Sequence, residues 1–390
     1  MCEQITPWTL TPVKFDGIRL RNLESCNKHH QSFEDLKVSA AACELCRLIY
    51  DSLLEEKGSS RKDIQRDYAV FMAASIWPYS DADLPSEAPQ VCNIVVQCGE
   101  VNITLLAFAD PSSEAALQKA VTGRLPPQPD SKAQYEMVAT WLQQCIHDHP
   151  QCKLRPGEGG LREDEDPETV ELPTRVLDVG TSTRSTIRLV ESLGMQGQYA
   201  VLSHRWPTDP SQHFMTTTDT ITERKIAINL NEMPPTFQDA VRVTRELGIR
   251  YLWIDSLSII QDDARDWEQQ SALMGKVYYQ GTITIMAAPT PIKTLEAKWD
   301  TSVTGFLHRS AFSHPTVKMV YHDFQWKQKG SWYIQNKKRF DSLHWELFTR
   351  GWVLQEELLS RRKVIYTQER VSWVSPIPFW SFGSKIQEFH

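Results

Sequence analysis

The chain has no surplus of positive charge. Its 42 Lys and Arg face 49 Asp and Glu, a formal net charge of -7, so a broad positive field is missing and nucleic acid is not an expected partner. It also lacks a long apolar run. No stretch approaches the roughly 18 apolar residues of a membrane span, and the N-terminal MCEQITPWTLTPVKF has neither the basic start nor the apolar centre of a secretory leader. A soluble protein of the cytoplasm is therefore expected. No internal repeat or low-complexity tract stands out. Cysteine is sparse: Cys2, Cys26, Cys43, Cys46, Cys92, Cys98, Cys145 and Cys152 are spread over 390 residues. In a reducing compartment such thiols fit free side chains or metal ligands better than a disulfide framework. What is present is an ordinary globular composition, 41% hydrophobic and 23% charged, long enough for two or three domains.

From about Cys26 to Lys57, Leu36, Ala40, Cys43, Leu45, Leu48, Ile49 and Leu53 recur near helical spacing. The runs YAVFMAA, VCNIVVQC and VNITLLAF between Tyr68 and Ala109 predict a small β-containing region, and Tyr135 to Cys145 returns to helix. KLRPGEGGLREDEDPETVELP is rich in Pro, Gly and acids, which predicts a linker over 156–171 and places the main boundary there, after an N-terminal mixed α/β region over 1–155. Beyond it, Arg175 to Val179 and Tyr199 to Ser203 read as a strand pair. An amphipathic helix follows over Thr236 to Leu247, stopped by Gly248. YLWID is apolar and ends in an acid, as a strand buried on both faces does when its carboxyl end opens on a site. A helix capped by Asp266 then leads to the strand TITIMAA. The order predicts an α/β fold with a parallel sheet flanked by helices. Residues 297–340 lose clear periodicity and read as an ordered insertion, RGWVLQEELLSRR as a short helix, KVIYTQERVSWVS as a hairpin, and 376–390 as a tail.

Several polar groups cluster at these predicted strand ends. Asp255, with Gln261, Asp262 and Asp263 close behind, is suited to a ribose hydroxyl or a cation, since carboxylates accept hydrogen bonds and offer hard oxygen ligands. The plainer alternative is turn and helix capping. Ser203, His204, Arg205 and Trp206 follow another strand end, where Arg205 would pair with a phosphate or carboxylate and Trp206 would stack on a base. Otherwise Arg205 bridges to an acid such as Asp255 and Trp206 simply packs. Arg350, Trp352, Gln355 and Glu356 fall at helical spacing, with Glu356 a candidate general base or ribose contact. Its alternative is a surface pair with Arg361 or Arg362. Cys26, His30 (or His29), Cys43 and Cys46 form a candidate zinc set, against the reading of buried thiols as small hydrophobes. CIHDHPQC offers a second set, Cys145, His147, His149 and Cys152.

Four blocks in fixed order, YAVLSHRWP, GIRYLWIDSLSIIQDDARDWEQQSALMGKVYYQGTITIMAA, RGWVLQEELLSRRKVIY and RVSWVS, resemble the heterokaryon incompatibility (HET) domain. LPTRVLDVG and SAAACELC resemble segments found ahead of it. The resemblance implies a HET domain over 172–375, fungal origin, and a role in self/non-self recognition, innate immunity and programmed cell death. It also implies a fold distantly similar to the Toll/interleukin-1 receptor (TIR) domain. Some TIR-like proteins cleave NAD or form signalling assemblies, so NAD or another nucleotide is the implied ligand, and a protein partner or self-association the implied output. A biosynthetic enzyme on the same scaffold is a further alternative. Relatives carry Cys where this chain has Ser258, often an acid where it has Gln270, and Cys at or beside Ser375. These departures argue against a hydrolase, because Gln270 cannot serve as a charged group or base.

Overall fold

A computed structural model describes residues 5, 10, 12–13, 26–59, 64–75, 91, 93–110, 112–121, 130–149, 152–153, 168–180, 186–207, 209–288, 305–307, 316–322, 325, 327–336, 356, 358–367 and 371–375. The chain forms two compact units. One comprises Met1–Pro126, Phe312–Phe340 and Phe389–His390, the other Pro127–Ala311 and Asp341–Glu388.

The first unit is a seven-stranded sheet covered by helices. Val70–Ser75, Asn93–Cys98 and Val101–Phe108 form an antiparallel meander, as the apolar runs predict. Their alternation sends Ile94, Val96, Ile103 and Leu105 into one core with Leu36 of helix Phe33–Ser39 and Leu45, Ile49 and Leu53 of helix Glu44–Ser59. Ser32 caps the first helix by accepting the Asp35 N–H. The segment expected to be helical from Cys26 begins differently, because Asn27–His30 is a strand paired with Val70–Ser75. The insertion expected at 297–340 contains ordered strands that belong to this unit. Thr316–His322 and Gln328–Asn336 form a hairpin whose second strand pairs with Val101–Phe108. Val317, Met319 and Tyr321 are buried in alternation with exposed Thr316, Lys318 and Val320, a period of two that marks a half-buried strand.

The second unit is a three-layer α/β structure. Its sheet runs Val371–Val374, Lys363–Tyr366, Ile283–Ala287, Tyr199–Ser203, Tyr251–Trp253, Arg175–Asp178, Arg188–Glu191. The middle four strands are mutually parallel, and antiparallel strands close both edges. In chain order the parallel strands lie second, first, third, fourth, the doubly wound arrangement in which polar ligands meet the carboxyl ends. The predicted direct pairing of Arg175–Asp178 with Tyr199–Ser203 does not form, because Tyr251–Trp253 lies between them. Ala200, Leu202, Leu252 and Ile285 pack on one face under helices Lys132–Asp148 and Pro235–Glu246. Tyr199, Val201 and Trp253 pack on the other under helix Ala264–Gln280. Burial on both faces is what makes these strands apolar nearly throughout. Gly248, with φ +74, ends helix Pro235–Glu246 as its sequence predicts. The Ile249 N–H reaches back to the Thr244 carbonyl at 3.0 Å, closing a Schellman turn.

The division into units does not follow the composition boundary at 156–171. Helix Lys132–Asp148 lends Tyr135, Val138, Trp141 and Leu142 to the second unit's core, so its apolar stripe, rather than the polar stretch after it, decides where it belongs. Within that stretch, Glu168 is buried and Val170–Glu171 pairs with Gln196–Gly197. The helix expected to be capped by Asp266 instead starts at Ala264. Asp263 accepts the N–H groups of Arg265 and Asp266, and Asp266 forms a two-oxygen ion pair with Arg175.

Candidate functional site

The strand Tyr199–Ser203 delivers Ser203, His204, Arg205 and Trp206 to the carboxyl edge of the parallel sheet, and Tyr251–Trp253 delivers Asp255 beside them. Glu356 reaches the same edge from the segment preceding Lys363–Tyr366. The Ser203 hydroxyl donates to Glu356 Oε2 at 2.6 Å, with both side chains buried. A charge-assisted bond of this kind is among the stronger ones available to a hydroxyl. Trp206 Nε1 donates to Asp255 Oδ2 at 2.8 Å, while Asp255 Oδ1 accepts the Ser256 N–H at 2.7 Å. His204 Nδ1 lies 3.9 Å from Asp255 Oδ1, so protonation of His204 would create an ion pair. Its ring meets Phe237 edge-on at 4.9 Å. The Ser360 hydroxyl, which donates to the Glu356 carbonyl at 2.6 Å and sits 2.8 Å from Thr284 Oγ1, ties the Glu356 segment to strand Ile283–Ala287.

A shallow, solvent-open cleft adjoins this cluster, with about 20 Å³ of enclosed room, lined by His204, Arg205, Trp206, His213, Phe214 and Phe237 among others. Enclosed room of that size holds about one water, so a larger ligand would lie across the open mouth, against aromatic walls with a few polar groups of the kind ligand sites carry. His213, Phe214 and Phe237 are not singled out by sequence. Trp206 meets His213 edge-on at 5.2 Å, and the Arg224 guanidinium stacks 4.3 Å over the Phe214 ring. The one signal for His213 and Phe214 is that they are an adjacent His and Phe inside an otherwise polar loop, while Phe237 belongs to the apolar face of helix Pro235–Glu246.

Not every candidate joins the cluster. The Gln261 amide donates to the Asp255 and Ile259 carbonyls and so braces the turn below Asp255. Asp262 accepts the N–H and hydroxyl of Thr218 at 2.8 and 2.7 Å, bonds that hold its carboxyl below the ordinary value. Asp263 is committed to its helix cap. Arg350, Trp352 and Gln355 lie outside the described residues. The ion pair imagined between Arg205 and Asp255 is replaced by the Trp206 bond, and the surface pairing of Glu356 with Arg361 or Arg362 is corrected. Both arginines are buried and grip Glu168, Arg362 through two bonds of 2.7 and 2.8 Å and Arg361 through two of 3.4 Å. Each also donates to the Cys152 carbonyl.

Among the described residues, two groups bring metal-ligating atoms together: His29, His30 and Cys46, and Cys145, His149 and Cys152. Cys26 and Cys43 are not in the first group, nor His147 in the second. Cys145 is held well below the ordinary thiol range by its hydrogen bond from Cys152 and then by the charge of Arg362, whereas Cys152, as the donor of that bond, is raised. No helix among the described residues is long and apolar enough to cross a membrane.

Residues 199–356, the segment that carries Ser203, Asp255 and Glu356, match the family described as heterokaryon incompatibility protein (HET). No curated protein and no solved structure matches the chain.

Proposed function

We propose that this chain, a member of the heterokaryon incompatibility family through residues 199–356, is a fungal self/non-self recognition module whose output is regulated cell death. Its trigger is a nucleotide of the NAD type, received at the carboxyl ends of the parallel strands, and its signal is assembly with a protein partner or with further copies of itself. One observation carries the reading: Ser203, Asp255 and Glu356, from three distant stretches, are held at one sheet edge by the bonds Ser203–Glu356 and Trp206–Asp255. The doubly wound strand order supports a TIR-like reading at the level of fold, which is analogy and assigns no activity by itself.

A second reading, nucleotide hydrolysis, is favoured by the buried Glu356 carboxylate. Gln270 lies on helix Ala264–Gln280, whereas Asp255 and Glu356 reach the strand ends from other stretches, so a neutral residue at 270 leaves both of these carboxyl groups in place. Calorimetry with NAD, chromatography of the products and sedimentation at rising concentration separate the readings. NAD binding weakened at least about tenfold in Asp255→Ala, with self-association and no cleavage, supports the module. Cleavage lost in Glu356→Gln supports the hydrolase. Nucleotide binding untouched by either substitution removes the site from both.

A further inference from the structure

The strand Asn27–His30 contains an irregularity with a chemical consequence. Asn27 pairs with Met72, Lys28 with Phe71 and His30 with Val70, so His29 is an extra residue opposite the partner strand. In a regular strand two consecutive side chains point to opposite faces. Here the burial runs exposed, exposed, buried, buried, because the bulge re-aims the backbone and both imidazoles turn inward. Their rings meet edge-on with centroids 4.4 Å apart. Cys46 sits in the first turn of helix Glu44–Ser59, beside Leu45, Leu48 and Ile49 in the core. Its sulfur lies 3.3 Å from His30 Nε2 and 3.6 Å from His29 Nε2.

We propose that His29 Nε2, His30 Nε2 and Cys46 Sγ bind one zinc ion. Zinc bonds of about 2.3 Å to sulfur and about 2.0–2.1 Å to nitrogen, opened to a tetrahedral angle, set the sulfur about 3.5 Å from each nitrogen. The two observed separations bracket that value, and the three ligand atoms all lie within 4.8 Å of one another. The chemistry agrees. As hydrogen-bond partners of one thiol, the two rings must take opposite roles, one donating and one accepting. Around an ion both neutral rings use their Nε2 lone pairs and the thiolate completes a borderline-soft donor set. Cys43, three residues before Cys46, has the Cys-x-x-Cys spacing from which a fourth ligand comes in structural sites. The second group, Cys145, His149 and Cys152, is the poorer host, because the Arg362 guanidinium already supplies a cation to the Cys145 sulfur. Zinc at the first group would staple the bulged strand to the helix and contribute directly to the stability of this unit.

The test uses the full chain, stripped by chelator and titrated with Co²⁺ and then Zn²⁺. The expected result is one equivalent of cobalt with the visible bands of a tetrahedral ion and a sulfur-to-cobalt charge-transfer band, all abolished when zinc displaces it. His30→Gln and Cys46→Ser weaken uptake by about 100-fold or more, and Cys145→Ala leaves the spectrum unchanged. Circular dichroism shows whether each variant is folded. Because loss of Cys46 can unfold the unit by itself, the wild-type and Cys145→Ala spectra decide independently of that variant. A folded wild-type chain without the thiolate band overturns the proposal. So does a band that vanishes in Cys145→Ala, or one that survives in folded His30→Gln.

Discussion

Replacing Glu168 by Gln should be among the most damaging single changes in the second unit. Glu168 is 1% exposed and is the carboxylate gripped by two guanidiniums, Arg362 being 0% and Arg361 3% exposed. An amide keeps the shape but removes the charge, leaving two buried cations facing each other across a neutral group. Breaking a buried pair by removing one partner costs about 3–5 kcal/mol, a large part of the about 5–15 kcal/mol that holds a domain together. With a urea dependence of about 1–3 kcal/mol per molar, the midpoint should fall by about 1–5 M. The control is Glu171→Gln. Glu171 pairs with Lys276 at 3.5 Å with both side chains about half exposed, so its loss should cost less than about 1 kcal/mol. Equilibrium urea unfolding of the three chains, followed by circular dichroism, gives the comparison. If Glu168→Gln unfolds at the same urea concentration as Glu171→Gln, the carboxylate is not what offsets the two arginines, and the reasoning fails.

Three further outcomes follow from the same structure. Gly305 has φ +72 and packs against Asp239, whose carboxylate accepts the N–H groups of Phe306 and Leu307 at 2.7 and 2.8 Å. A Cβ there would be driven into that carboxylate, so Gly305→Ala should lose at least about 1–3 kcal/mol, read as a lower melting temperature. The Asp178 carboxyl is held below its ordinary value by the hydrogen bonds from Arg250. A depressed acid contributes stability that is full above its unfolded pKa, about 3.9, and lost as pH falls through the folded one. Arg250→Ala should therefore cost less than about 1 kcal/mol of stability at neutral pH, because Arg250 is half exposed, read as a lower melting temperature. That gap should close in acid; a constant gap from pH 7 to pH 2 contradicts the linkage. Finally, Cys145, lowered by Cys152 and Arg362, should give one thiolate absorbance near neutral pH that is missing in Cys145→Ala. An ultraviolet titration in which that difference appears only above pH 8, near the ordinary thiol value of about 8.5, would contradict it.

Elements whose signal is local are legible in the sequence. Helix Pro235–Glu246 announces itself by its apolar face and by Gly248, and Tyr251–Trp253 by an apolar run closed by an acid. The convergence of Ser203, Trp206 and Asp255 at one edge follows from reading two such runs as strands of one parallel sheet whose carboxyl ends open on a crevice, although their direct pairing is not legible. Less is legible where the determining contact spans the chain. Glu168 sits in a stretch whose composition reads as linker, and nothing near it in sequence reveals that Arg361 and Arg362 need an anion. Asp266 has the look of a helix cap, yet its partner Arg175 is 91 residues away, and the local competition for the cap is won by Asp263. The Thr316–His322 strand is a different case. Its alternation is present in the residues but is hidden by the aromatic-rich stretches on either side. At His29 a single bulge changes which way a side chain faces, and such a shift leaves no periodic trace.

The hairpin Thr316–Asn336 lies in sequence between two neighbouring strands of the second unit, Ile283–Ala287 and Lys363–Tyr366, yet completes the sheet of the first. During synthesis the first unit must therefore wait. When its N-terminal 126 residues have left the ribosome, the edge of Val101–Phe108 is still bare, and open edges invite pairing with other chains. A chain interrupted before residue 316 would expose that edge permanently, so aggregation of nascent fragments should fall sharply once the codons for this hairpin have been read.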